Sequence, residues 1–338
     1  MNTVFIVPTG VGAEIGGHAG DATPAAKLLA SVSDLLITHP NVVNASDINE
    51  MTENTLYVEG SMLDRFLGGE IELERVHHNR ILLAVNTPVD NKTINAVSAA
   101  RATIGADITI MELKTPLVMI AEKDGEKATG TVSGVVELID QVRVHDFDAL
   151  AIATHVAVAG GIVLDYLDNG GVNPWGGVEA VLSRIVSEAL NKPVAHAPFL
   201  DKANEAIFEE YDQVVDPRMA AELVSRCYLH CVLKGLHRAP RIGKGLSVND
   251  VDCMVSPSGL SGLPHAMCVD RKIPIIIVEE NRTRFNYSWS SLIYEKAIKA
   301  ATYLEAAGIV ACMRAGIDWR TVLRPLAPTV VIKSGGLK

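Results

Sequence analysis

The chain has 338 residues, 48% of them hydrophobic, with 30 Lys and Arg against 40 Asp and Glu for a formal charge of −10. That is enough apolar mass for one large α/β domain or two smaller ones, and an acidic balance with no Lys/Arg run argues against a nucleic-acid backbone or an anionic membrane surface as partner. No apolar run reaches the ~18 residues of a membrane span, and the N-terminus lacks the basic-then-apolar layout of a signal peptide, so the expected location is the cytoplasm, or the plastid stroma in a plant.

Along the chain, Thr3-Val4-Phe5-Ile6-Val7 reads as a buried strand. The loop "PTGVGAEIGGHAGDATP" (8–24) follows, and Thr23-Pro24 opens a helix with proline in its first turn. A strand over 35–38 comes next, then Asn44, Asp47 and Asn49 in a turn with a helix cap, a strand over 81–85, a helix over 92–101 and a strand over 108–111. This alternation predicts parallel strands joined by crossover helices. Over 116–132 the rhythm breaks into a β-hairpin insertion turning at Asp124-Gly125. Alternation resumes with "DALAIATHVAV", a helix over 177–190, "KPVAHAPF", helices over 203–211 and 217–235, "DCMVSPSG" and "IPIIIVEEN". A long helix over 291–307 closes the series. The expected fold is α/β with mostly parallel, Rossmann-like sheets in two lobes, 1–150 and 151–338. The five cysteines, Cys227 among them, fit no zinc spacing and read as reduced core residues.

Three glycine-rich loops punctuate this pattern, over 10–20, 160–177 and 259–262. In open α/β sheets ligands bind beyond the carboxyl ends of the strands, so the three loops together would outline a cleft. In the first, Thr9, Gly10, Gly12, Gly16 and Gly17 form an anion cradle of backbone amides at a helix N-terminus. Its spacing is not that of a P-loop and misses the dinucleotide fingerprint by one residue, so NAD(P) is not favoured. Glu14, His18 and Asp21 exceed what a tight turn requires: they serve either acid–base chemistry or capping and packing. The second loop offers Asn173, Trp175, Gly176 and Gly177. The third offers Ser258, Gly259, Ser261 and Gly262, with Glu279 and Asn281 on the next strand.

Half of the ten histidines, namely His18, His39, His155, His196 and His265, fall at strand ends on the edge where α/β proteins bind ligands. They suit acid–base roles, or with Asp21 or Asp201 a divalent metal, although no His-x-His or His-x-x-x-His pair marks a metal site.

The stretches "GVGAEIGGHAGDATPAAKLLA" and "SPSGLSGLPHAMCVDRKIPIIIVEENRT" resemble the two half-sites of nucleotide-sugar epimerases and two-Rossmann glycosyltransferases, which implies a diphosphate on a Ser/Gly loop and an acid on the next strand. Taken whole, through "PTGVGAEIGGHAGDA", "THPNVVNASD", "NPWGGVEAVLSR" and "SPSGLSGLPHAM", the chain resembles a domain of unknown function from photosynthetic lineages. That resemblance implies a bacterial cytosol or a plastid stroma and no activity.

The residues point to an enzyme of small-molecule metabolism that binds an anionic, phosphate- or carboxylate-containing substrate. His18 and His155 would transfer protons, with Glu14 and Asp21 as their partners. Isomerase, transferase and hydrolase chemistry all fit. The alternatives are a non-catalytic nucleotide or metabolite sensor and a metal-dependent hydrolase. The apolar stretch "LIYEKAIKAATYLEAAGIVACM" suits a homo-oligomer contact as well as a core.

Overall fold

The computed structural model describes residues 1–18, 20–44, 51–124, 127–200, 202–224, 228–284 and 295–332. Asp47, Asn49, Gly125, Asp201, Cys227 and the start of the helix expected over 291–307 lie outside them. Two large sheets organise the chain. In the first, six parallel strands run in the order β14-β13-β12-β1-β2-β3, where β1 is Asn2–Phe5, β2 Leu35–Thr38, β3 Thr55–Tyr57, β12 Cys253–Ser258, β13 Ile275–Arg282 and β14 Ile298–Ala300. Counted within the sheet this is the 3-2-1-4-5-6 order of the doubly wound dinucleotide-binding fold, with the switch point between β1 and β12. The strands are apolar on both faces, β2 reading Leu-Leu-Ile-Thr with every residue buried, because helices cover the sheet on either side.

The second sheet places β6 (Asp107–Leu113), β5 (Arg80–Asn86), β9 (Ala149–Ala157) and β10 (Val194–Phe199) side by side and parallel. The hairpin expected near 116–132 is present as antiparallel β7 (Val118–Asp124) and β8 (Lys127–Ser133), and it joins the sheet where β7 pairs with the end of β9. A small antiparallel pair, β4 (Leu73–Glu74) with β11 (Arg241–Ile242), completes the pairing. A cut near residue 150 falls inside β9, the middle of the second sheet. The first sheet draws its strands from both ends of the chain.

Three helices position the site. Helix α2 (Gly60–Gly68) follows β3 directly and buries Met62, Leu63, Phe66 and Leu67, an i, i+4 stripe, against the first sheet. Its C-terminus closes on Gly69 in the left-handed conformation. Helix α6 (Gly176–Leu190) buries Val178, Leu182 and Val186 and packs its other side on α2. Helix α10 (Leu263–Asp270) follows β12, with Pro264 in its first turn.

The described parts of the helix expected over 217–235 are helical, Pro217–Val224 and Tyr228–Arg238. One expected helix is corrected. In place of one helix over 291–307 there is the edge strand β14, followed by a helix over Tyr303–Arg314 capped by the Thr302 hydroxyl, which accepts from the Glu305 amide at 3.2 Å.

Candidate functional site

The loop after β1 leaves the sheet at the switch point and is folded back by its own side chains. The Asn281 amide pins it, accepting from the Ile15 N–H at 2.9 Å and donating to the Ile15 carbonyl at 2.7 Å. The Asp21 carboxylate accepts from the Gly16 amide at 2.9 Å and the His18 amide at 3.4 Å. Gly16 must be glycine: its φ is +95°, and a Cβ there would meet Val7 at 2.8 Å. The amides of Glu14 and Gly17 go to the carbonyls of Arg282 and Asn41. Of the expected anion cradle, the Gly16 and Gly17 amides are thus already taken inside the protein, by Asp21 and the Asn41 carbonyl.

Beside the loop a cavity of about 510 Å³ opens between the two sheets. All three glycine-rich loops reach it, through Gly10, Gly12, Gly16 and Gly17, then Gly171, Asn173, Trp175 and Gly176, then Gly262. Thr9 lines it as well, and four of the five strand-end histidines converge on it.

Those four differ in what they have left to offer. His265 spends both nitrogens: Nδ1 accepts from the Gly262 amide at 3.1 Å, capping α10, and Nε2 lies 2.8 Å from the Ser256 hydroxyl. His196 likewise bridges Glu179 Oε1 and Thr154 Oγ1, each at 2.9 Å. His39 Nε2 accepts from the Val7 amide at 3.0 Å, which fixes the proton on Nδ1. His18 stacks on Tyr166, its Nδ1 2.8 Å from the phenol oxygen. Burial holds His18, His39 and His265 neutral, each lowered to about 4, with the nearby Arg218 guanidinium adding to the effect at His18. His39 Nδ1 and His18 Nε2 are thus the ring nitrogens left without a hydrogen-bond partner among the described residues.

The remaining sequence-derived candidates lie elsewhere. His155 points away, because alternation along β9 turns Thr154 inward and His155 outward, where it packs on Phe199. Glu14 faces a second, polar hollow of about 330 Å³ with Arg218 at 3.6 Å, and His18 borders both spaces. Asp21 pairs with Arg218 at 3.2 Å and orients the loop backbone, while Tyr166 orients the His18 ring. Ser258 donates to carbonyls of β13, and Gly259 packs on Thr283. Ser261 and Glu279 do not line the cavity, and Asn281 is fully buried as the pin of the loop. Gly177 is a packing residue, since a Cβ there would meet the Ala128 carbonyl oxygen at 2.3 Å.

Of the acids that face the cavity, Glu59, Asp64 and Glu179 come from α2 and α6, and Glu222 comes from the helix over Pro217–Val224. Glu59, at the N-cap of α2, is 6% exposed and its carboxyl has no hydrogen-bond partner among the described residues; burial alone raises that carboxyl to about 8. Asp64, one turn on, is raised to about 6 by burial. The Ser61 hydroxyl is buried in the same wall without a partner among the described residues. Only a strand end followed by Glu-Gly-Ser marked this turn in the sequence, with no histidine or glycine cluster to single it out. Among the described residues no three His, Cys, Asp or Glu side chains are grouped to hold a metal ion.

A family model described as a protein of unknown function (DUF3326) matches residues 2–323. An uncharacterised lipoprotein of the cyanobacterium Synechococcus sp. is 36% identical over 337 residues, covering 94% of this chain and 92% of that protein. No solved structure matches the chain.

Proposed function

The chain belongs to the DUF3326 family, whose description carries no activity, and from the cavity itself we propose that it is an enzyme of small-molecule metabolism that moves a proton on a bound substrate. The observation that carries this reading is Glu59, a buried carboxyl without a hydrogen-bond partner among the described residues, on the wall of the cavity that also holds His18. A carboxyl raised to about 8 is protonated at neutral pH and acts as general acid. A histidine lowered to about 4 is unprotonated and accepts. Two titratable groups whose environments push them apart in this way give the acid and base of one proton-transfer cycle. His39 Nδ1–H supplies a fixed donor that orients the substrate or stabilises developing negative charge. His196 and His265 act through the groups they hold, Glu179 and the start of α10.

A mixed metabolite pool incubated with the protein and followed by mass spectrometry tests this. Wild type should convert at least one compound, while Glu59→Gln and His18→Ala each lower turnover by about 100-fold or more, the usual scale for a lost general acid or base. Retained binding with no conversion by wild type overturns the enzyme reading in favour of a sensor. We place the protein in the cytoplasm or a plastid stroma; among the described residues no helix is long and apolar enough to cross a membrane. Recovery of the expressed full-length gene product in the membrane fraction, as the relative's name of lipoprotein would entail, overturns that placement.

A further inference from the structure

The wall that α2 and α6 present to the cavity carries an unbalanced set of charges. Among the described residues on it, Glu59, Asp64 and Glu179 bring carboxyls, and Arg184 is the single guanidinium. Arg184 is half exposed and already paired with Glu188 at 2.9 Å. No lysine among the described residues lines the space. Glu179 is held in place by His196, which is itself braced by Thr154, so its carboxylate keeps a fixed orientation with about a fifth of the side chain open. The carboxyls of Glu59 and Asp64 have no hydrogen-bond partner among the described residues, and Glu59 is more than nine-tenths buried. A buried carboxyl left unpaired costs on the order of 1–3 kcal/mol or more, a penalty that a ligand donor removes.

The N-terminus of α2 contributes in the opposite sense. Its first-turn amides carry roughly half a positive charge and by themselves favour an anion. Against them stand three carboxyls on the same wall, so the sum at this end of the cavity is acceptor-rich. The Ser61 hydroxyl, buried without a described partner, adds an acceptor and a donor.

Resting on the reading of the cavity as a substrate site, we propose that Glu59, Asp64 and Glu179 recognise the substrate through a protonated amine or an amidine group. Such a group offers several N–H donors to carboxylate oxygens and replaces the missing counter-charge in one step. Asp64 and Glu179 meet its charge, while Glu59 accepts one N–H at its carbonyl oxygen and keeps the proton it donates as general acid. Among the described residues, the other titratable groups facing this space are Glu222, Tyr57, Tyr228, Cys231 and the four histidines.

The test titrates the full-length protein calorimetrically at pH 7 in two buffers of different ionisation enthalpy. The probes are putrescine and benzamidine, set against succinate and inorganic phosphate. The expected result is binding of an amine or amidine probe with far less than the ~0.9 proton per ligand that ionisation of a group near 8 would release at pH 7, and release at that full value overturns Glu59's part as a neutral acceptor. Asp64→Asn, nearly isosteric, should weaken that binding at least tenfold, and Glu59→Gln, which keeps the carbonyl acceptor, should weaken it less. Amine binding unchanged by both substitutions overturns the inference, since the acidic surface at large would then be the binder. Binding of succinate or phosphate alone overturns the amine class and leaves the cavity standing as a substrate site. Silence from all four probes also overturns it, whereas the enzyme reading stands or falls separately on turnover of the metabolite pool.

Discussion

Glu59 and the buried histidines pull the stability of the fold in opposite directions along the pH axis. Glu59 titrates near 8 when folded and near 4.5 when unfolded, so across that window the folded chain holds a proton the unfolded chain has lost. Stability therefore falls as pH rises from about 4.5 to 8, by up to roughly 4 kcal/mol. His18, His39 and His265 are lowered to about 4, so between 6.5 and 4 the unfolded chain binds protons that the folded chain refuses. Each of these costs up to roughly 3 kcal/mol as pH drops through that range, and together they rival the whole stability of a typical domain. Asp64, raised to about 6, offsets a part of this loss. The expected outcome is a stability maximum near pH 6.5 with acid unfolding before pH 4. Urea midpoints measured from pH 5 to 8.5 should show Glu59→Gln flattening the alkaline limb and leaving the acid limb in place; an unchanged alkaline limb would mean that Glu59 is solvated.

At the scale of elements, what the sequence made legible and what it hid have identifiable causes. The parallel alternation, the hairpin near 116–132 and the three glycine loops were readable because each has a local signal: period, turn dipeptide, glycine clustering. The helix expected over 291–307 misled because Ile298-Lys299-Ala300 carries helical composition yet is captured by β13 as an edge strand, a tertiary choice. The helix itself starts one residue past Thr302, whose side chain caps it. At the first glycine loop, glycines report freed amides without saying what fills them, and at Gly16 Asp21 does. Glu59 was missed because a lone acid at a strand end becomes exceptional only when burial removes its water.

Gly177 tests the distinction between a binding glycine and a packing one. A methyl group there must displace the Ala128 carbonyl and the Thr129 amide, at 2.3 Å and 2.6 Å, and so push α6 off β8. Gly177→Ala should cost roughly 2–4 kcal/mol in chemical denaturation, on the scale of severe overpacking. A change under about 0.5 kcal/mol, the level of an ordinary surface substitution, would show that the hairpin yields and that Gly177 is available for another role.

Over the whole molecule, chain order and spatial order part company in a way that bears on both folding and binding. The central strand β1 pairs Thr3, Val4 and Phe5 with Cys253, Met254 and Val255, so the first sheet closes only when the two ends of the chain meet. The second sheet is assembled from residues 80–199 around its own buried clusters. Long-range parallel pairing forms late, because the entropy of closing so long a loop is lost before the strands can pair. Native-state hydrogen exchange should therefore group Thr3–Phe5 with Cys253–Val255 in one opening unit, and residues 81–85 with 149–153 in another. The cavity takes His39 and Glu59 from the first body and Glu179 and His196 from the second. A ligand bound there is linked to the closed state of both, so saturation at 100 times its dissociation constant should slow exchange in both units by up to about 2.7 kcal/mol. Protection confined to one unit would place the ligand on a single sheet and remove the cavity between them as the site.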